Sequence, residues 1–95
     1  MHNLNIQHDI SHGLFFTKVK GGMAQLSYEK VADKHLRLMD VHVPVSSKGM
    51  GVRRHLIESA LSYAKGRDMV IESSHPLVRE IMDGSKEYQC LKVRE

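Results

Sequence analysis

The junction between a strand and a helix in the middle of the chain constrains the fold more than any other feature. An apolar run ends at Pro44, a short loop follows with two glycines spaced by one residue, and an amphipathic helix begins at once. Glycines allow the backbone to approach a ligand closely, and the first turn of a helix offers unpaired N–H groups at the positive end of the helix dipole. The junction therefore predicts a binding site for a pyrophosphate, to which Lys48, Arg53 and Arg54 add positive charge.

Three kinds of phosphate-binding loop occur at such a junction, and the residues favour one of them. The P-loop pattern Gly-x-x-x-x-Gly-Lys-Ser/Thr is absent, and Arg54 stands where a dinucleotide-binding fingerprint has its third glycine. The run Lys48-Gly49-Met50-Gly51-Val52-Arg53 instead resembles the acyl-coenzyme A loop of the GNAT N-acetyltransferases, Arg/Gln-x-x-Gly-x-Gly/Ala. Lysine replaces the first residue of that pattern, and arginine replaces the last.

Length and composition indicate one small domain over residues 1–95. A chain of 95 residues buries a modest core, so a homodimer would add useful surface. The formal charge of +3 fits an anionic cofactor as well as a nucleic acid. The single cysteine, Cys90, excludes an intramolecular disulfide, and no apolar stretch reaches the roughly 20 residues that a membrane span needs. These features predict a cytoplasmic protein without a membrane partner.

Alternating apolar residues and turn signals predict an α+β fold with five strands and two helices. The strands are expected at Asn3–Gln7, Leu14–Val19, Met23–Glu29, Leu36–Val43 and Met69–Glu72, with a hairpin turn at Gly21-Gly22. Helices are expected over Gly51–Lys65 and from Pro76 to about Asp83, with Tyr88–Val93 in the tail. Because one helix connects the last two strands, they should run parallel within a mostly antiparallel sheet, in the order β-β-β-β-α-β-α.

This order resembles a minimal GNAT-like N-acetyltransferase, the short single-domain branch of that superfamily, over nearly the whole chain. Two positions depart from the branch. Asp40-Val41 stands where its members commonly have His-Thr, and His75-Pro76 stands where they commonly have Cys-Pro. The cysteine of the branch is a suspected functional residue, so the second departure bears on chemistry more than on fold.

The resemblance implies acetyl-CoA as co-substrate and an amine as acceptor. Pantetheine would lie between two splayed parallel strands, here those ending at Val43 and Glu72, and the pyrophosphate would lie on the backbone after Pro44. A backbone N–H near His42 or Val43 would polarise the thioester carbonyl. The implied cofactor-binding residues are His42, Val43, Lys48, Gly49, Met50, Gly51, Val52, Arg53 and Arg54.

Three side chains are candidates for catalysis, each with a simpler alternative. His75 is placed to act as general base or as acid to the leaving thiolate, or it is only a polar residue at a helix entry. His42 has an orienting or base role, or it is a half-exposed strand histidine. Tyr88 belongs to a Glu-Tyr pair that the branch shares, where packing of the tail explains it equally well.

Other residues point away from metal and nucleic-acid chemistry. His8 and His12 have an i, i+4 spacing, but they lie in a strand-and-loop region and no zinc-type cluster follows. Five cations lack the interleaved aromatic residues of single-strand binders, which disfavours nucleic acid as a partner: Lys18, Lys20, Lys30, Lys34 and Arg37. The sequence thus predicts an acyl-CoA-dependent N-acyltransferase for a small-molecule or protein amine. A coenzyme A- or partner-binding module without catalysis is the alternative.

Overall fold

The structure is a computed structural model that describes residues 6–46, 51–73, 75–89 and 91. Its sheet contains five strands, β1 to β5, and its helices are α1 to α3. In chain order the elements are β1 Gln7–Asp9, β2 Leu14–Val19, β3 Gly22–Ala32, β4 His35–His42, α1 Val52–Gly66, β5 Val70–Glu72, α2 Pro76–Asp83 and α3 Lys86–Gln89.

The strands form one sheet in the order β1-β2-β3-β4-β5. The first four are antiparallel neighbours, and β5 pairs parallel to β4. A parallel neighbour requires a crossover connection, and α1 supplies it. The α+β class and the single parallel pair are therefore as the sequence predicted.

The core lies between α1 and one face of the sheet. Apolar residues recur at helical spacing along α1, and this face is buried: Val52, Leu56, Ile57, Ala60, Leu61 and Ala64. The sheet contributes the alternate residues of its central strands, which are also buried: Phe15, Ala24, Leu26, Leu36 and Leu38. Helix α2 adds Val78, Ile81 and Met82 to the same core. The opposite face of the sheet carries the remaining alternate side chains.

Two segments differ from their predicted form. The first strand was predicted at Asn3–Gln7, and in the described part of the chain it occupies Gln7–Asp9; residues 3–5 lie outside that part. The register is set by β2, since His8 pairs with Phe15 and their rings stack 4.0 Å apart. The tail forms the short helix α3, which was not predicted from the sequence. After it the carbonyl of Leu91 accepts a hydrogen bond from the Ile71 N–H, which holds the tail against β5.

Candidate functional site

A β-bulge interrupts β4 near its C-terminal end. Leu38 pairs with Tyr28 and Val41 pairs with Leu26, so β4 has one more residue than β3 between these pairs. The Asp40 N–H donates to the Ser27 hydroxyl oxygen over 3.3 Å at this point. A bulge bends its strand and increases the local twist. Strand β4 therefore changes direction just before its last residues.

The prediction of a regularly alternating strand over Leu36–Val43 was wrong at this bulge. Strict alternation from Leu36 and Leu38 would place Asp40 in the core, yet Asp40 is exposed and Val43 is buried. The extra residue moves the apolar positions to the correct face. An aspartate at an expected core position was the signal in the sequence that could have revealed the bulge.

The parallel pair opens into a cleft beyond the point where β5 ends. Pairing runs from His35 with Val70 to Arg37 with Glu72, and β4 then continues alone to His42. The bulge lies in this unpaired part of β4. Among the described residues, no strand pairs with β4 on its β5 side after Arg37. The arrangement supports the predicted splay of the two strands.

An ion-pair network joins three strands at the closed end of this cleft. Arg37 Nε donates to Glu72 Oε2 over 2.6 Å, and Arg37 Nη1 lies 3.5 Å from Glu29 Oε2. The hydrogen bond from Arg37 is the main cause that lowers the pKa of the Glu72 carboxyl. His35 Nε2 lies 3.3 Å from Glu72 Oε1, but it is not aligned for a hydrogen bond. The network fixes the last paired register and hence where the cleft begins.

The start of α1 has the features of an anion-binding site. Gly51 precedes the helix with φ of 71°, a left-handed conformation, and no described side chain caps the helix. A Cβ added at Gly51 would meet no described atom within 4 Å. The first turn contains Arg53 and Arg54 and no acidic residue. Unpaired N–H groups, the positive dipole end and two guanidinium groups thus coincide, which fits a pyrophosphate.

The two arginines of this turn differ in their surroundings. Arg54 Nε lies 3.8 Å from Glu58 Oε2, an exposed pair one turn apart on the helix. Arg53 Nε is buried and has no hydrogen-bond partner among the described residues. A buried donor without an acceptor is unfavourable, and a phosphate oxygen is an acceptor that would satisfy it. Lys48, Gly49 and Met50, also predicted to bind the cofactor, lie outside the described residues.

His42 and Val43 project from opposite faces of the sheet at the cleft. Val43 is buried in the core, and His42 is exposed on the face away from α1, opposite Gln25. Among the residues that the structure describes, none makes a hydrogen bond with the His42 imidazole. Both of its ring nitrogens are therefore available to a ligand.

His75 caps helix α2. Its Nδ1 accepts a hydrogen bond from the Leu77 N–H over 3.2 Å, and its own N–H donates to the Ser73 hydroxyl oxygen over 3.1 Å. Because Nδ1 is an acceptor, the hydrogen of the neutral ring is assigned to Nε2. His75 therefore presents a donor at Nε2, and it can accept a proton only by giving up the cap.

Tyr88 lies away from the start of α1. Its ring packs against the core, and its hydroxyl oxygen lies 3.4 Å from the Ser62 hydroxyl oxygen. Ser62 is ten residues beyond Val52, which corresponds to roughly 15 Å along the helix axis. The structure thus places His42 at the C-terminal end of β4 and His75 three residues after the end of β5, but it does not bring Tyr88 to the start of α1.

The sequence profile of one protein family matches most of this chain. The family is described as GCN5-related N-acetyl-transferase, and its profile matches residues 14–91. The chain belongs to this family. The match begins with β2 and includes the bulged strand, the Gly51 junction and α2, so the candidate site lies within the matched residues.

A solved structure has the same fold as this GCN5-related N-acetyltransferase. It is an NMR solution structure of a GCN5-like N-acetyltransferase from Staphylococcus aureus, similar over 100% of this chain and 93% of its own, with a TM-score of 0.71. Its sequence identity of 18% means that this likeness concerns the fold. No curated protein matches the chain. In the part of the chain that the structure describes, no helix is long and apolar enough to cross a membrane.

Proposed function

We propose that this protein is an acyl-CoA-dependent N-acyltransferase that transfers the acetyl group of acetyl-CoA to an amine. The observation that carries the proposal is the positively charged start of α1, which no described side chain caps, after a strand β4 that continues beyond the end of β5. Membership of the GCN5-related family supports acetyl transfer in general. Acetyl-CoA supplies the activated thioester, and its pyrophosphate and pantetheine match the two parts of this site.

We assign cofactor binding to the two segments that flank the junction. The N–H groups of Gly51, Val52, Arg53 and Arg54 would hold the pyrophosphate, with Lys48, Gly49 and Met50 completing the loop. Val52 contributes only its backbone, since its side chain is buried in the core. The backbone of residues 41–43 would pair with the pantetheine amides in the cleft, as a strand pairs with an edge.

The chemical step is assigned to groups at the mouth of the cleft. A backbone N–H near His42 or Val43 donates to the carbonyl oxygen of the thioester as negative charge develops there. The exposed His42 imidazole is available to take a proton from the amine before or during its attack. His75 Nε2–H would donate a hydrogen bond to the departing thiolate and so stabilise its negative charge, the role that its cap at Nδ1 leaves open. Tyr88 is retained only as a weaker candidate, because its hydroxyl group faces Ser62.

The acceptor is a small-molecule or protein amine that reaches the exposed sheet face beside His42. A second copy of the chain would add walls to this face, so a homodimer belongs to the proposal. A cytoplasmic location also remains a prediction. Nucleic acid is disfavoured, since Arg37 binds two carboxylates and Lys30 lies beside Leu36 on the other face of the sheet.

One observation favours the alternative of a coenzyme A-binding module without catalysis. The cap accounts for His75 by itself, and the contact with Ser62 accounts for Tyr88 by itself. His42 is then the only one of the three candidate catalytic side chains without a described structural role. The two readings agree on cofactor binding and differ only in turnover.

Calorimetric titration with acetyl-CoA and with coenzyme A tests the binding step. Saturable binding of both supports either reading, and no heat with folded protein at millimolar ligand would overturn both. Release of free thiol from acetyl-CoA across a panel of amines then separates them. Amine-dependent release above the rate of a His42→Ala, His75→Ala double variant supports the enzyme, and identical rates support the binding module.

A further inference from the structure

A small cavity lies at the end of α1 opposite to the candidate acetyl-CoA site. Its volume is about 170 Å³, and its lining includes Tyr63 near the end of α1 and Arg67 and Met69 just after it. Strands β3 and β4 contribute Tyr28 and Leu36. Since α1 has 15 residues, the cavity is roughly 20 Å from the helix start. The cavity is therefore separate from the candidate pyrophosphate site at the helix start.

The inner walls of this cavity are apolar and aromatic. Leu36 and Met69 are buried, and the rings of Tyr28 and Tyr63 are half-buried. Phe15 lies behind both rings, with ring centroids 5.6 Å from Tyr28 and 5.9 Å from Tyr63. Aromatic packing on this scale holds the tyrosine rings in place, so the walls are formed before a ligand arrives.

The rim of the cavity carries three cations and one carboxylate, and is thus positively charged. The cations are Lys30, Lys34 and Arg67, and the carboxylate is Asp33. Arg67 Cζ lies 4.8 Å from the centroid of the Tyr63 ring, a cation–π contact that orients the guanidinium group. Lys34 Nζ donates to the Arg67 carbonyl oxygen over 2.9 Å, which leaves two further N–H donors.

The negative end of the α1 dipole explains the position of only one of the three cations. Lys34 binds a carbonyl at the helix terminus, as a cation there is expected to do. Arg67 lies over an aromatic ring and Lys30 belongs to β3, and neither has a described carboxylate partner. These two cations are therefore free of any described carboxylate and suit the binding of an anionic ligand.

We propose that this cavity binds a small planar aromatic carboxylate. The ring lies against Tyr28 and Tyr63 above Leu36 and Met69, and the carboxylate binds the Arg67 guanidinium and the Lys30 ammonium groups. The volume is below the range of about 300–1,000 Å³ typical of larger ligands, which limits the ligand to about one ring. Burial, and after it the proximity of Arg67, lower the pKa of His8, whereas Asp9 acts to raise it.

Titration of ¹⁵N-labelled protein with benzoate, benzamide and benzylamine tests the proposal without any mutation. Benzoate should cause saturable shifts of the backbone amides of Tyr63, Arg67 and Met69, and saturating coenzyme A should not remove them. Benzamide has the same shape without the charge and should bind at least about tenfold more weakly, with benzylamine weaker still. Equal binding of benzoate and benzamide, shifts at other residues, or no saturable benzoate shift would each overturn the proposal.

Matched substitutions assign the charge to particular residues. Lys30→Gln and Arg67→Gln should each weaken benzoate binding by about tenfold and leave benzamide binding unchanged. Lys18→Gln is the control, because Lys18 is an exposed lysine on β2 outside the cavity, and it should change neither. If Arg67→Gln fails to fold, the exposed Lys30 position decides, and unchanged benzoate binding by Lys30→Gln would overturn the carboxylate assignment.

Discussion

The buried Nε atom of Arg53 provides the sharpest test of the cofactor site. Its Nε–H has no described acceptor in the free protein, and leaving a buried donor unsatisfied costs about 1–3 kcal/mol. Replacement of Arg53 with methionine removes this donor and keeps an apolar stem of similar length. The free energy of unfolding of the free protein should therefore stay constant or rise by up to that amount.

The same substitution should have the opposite effect on coenzyme A binding. A hydrogen bond from a charged donor to a phosphate oxygen contributes about 1.5–3 kcal/mol, so Arg53→Met should weaken binding roughly 10- to 150-fold. Arg54→Met is the matched control. The Arg54 side chain is 62% exposed and pairs with Glu58, so its loss should weaken binding less than about fivefold.

Urea denaturation and calorimetric titration of the three proteins measure both quantities. The expected pattern is a free protein as stable as the parent that binds coenzyme A much more weakly. Equal or tighter binding by Arg53→Met would show that the arginine obstructs the loop where the family pattern has a small residue. A destabilised free protein with unchanged affinity would show that Arg53 has a purely structural role.

Three further predictions concern stability and proton transfer. Gly51→Ala should lower the free energy of unfolding by about 1–2 kcal/mol in urea denaturation because of its φ of 71°. Gly66→Ala, at the last residue of α1, should instead raise it by up to about 0.5 kcal/mol, and equal effects of the two substitutions would contradict the left-handed conformation of Gly51. Burial and Arg67 hold the pKa of His8 below 6.5, so the unfolded chain binds this proton more readily than the folded protein. The free energy of unfolding should therefore decrease as the pH falls from 6.5 to the folded pKa of His8. His8→Phe should flatten this part of the profile of unfolding free energy against pH, and an unchanged slope would refute the prediction. His75→Ala should lower the free energy of unfolding by about 1 kcal/mol, because the helix cap is lost, and slow acetyl transfer roughly 10²–10⁴-fold. His75→Asn should keep the cap but remain slow. If His75→Asn recovers the rate, His75 serves only as a helix cap.

Most of the fold was predictable because its signals are local. The residues of β2 and α2 were predicted with the bounds that the structure has, and α1 within one residue at each end. Alternation, helical spacing, Gly51 before a helix and Pro76 at the first turn of another each act over a few residues. The resemblance to a family loop depended on the same local run, which is why the junction was the strongest prediction.

The details of the candidate site depended on contacts between distant residues. Whether Asp40 lies in a bulge depends on how β4 pairs with β3. Whether His75 caps a helix depends on the contact in which its Nδ1 accepts a hydrogen bond from the Leu77 N–H. The prediction named His75 and His42 but could not assign their ring nitrogens. It also gave Tyr88 a place among the catalytic candidates that its contact with Ser62 does not support.

The sequence by itself determined the order of the five strands and the two longer helices, the glycine-containing junction before α1 and the apolar face of α1, since these follow from local conformational preference and periodicity. Only the tertiary structure decided where β4 and β5 separate, because Arg37 meets Glu72 across 35 positions of the chain. It also decided that Tyr28, Tyr63 and Arg67 share one cavity. Such meetings depend on strand register and on packing across the whole core, which no short run of residues encodes.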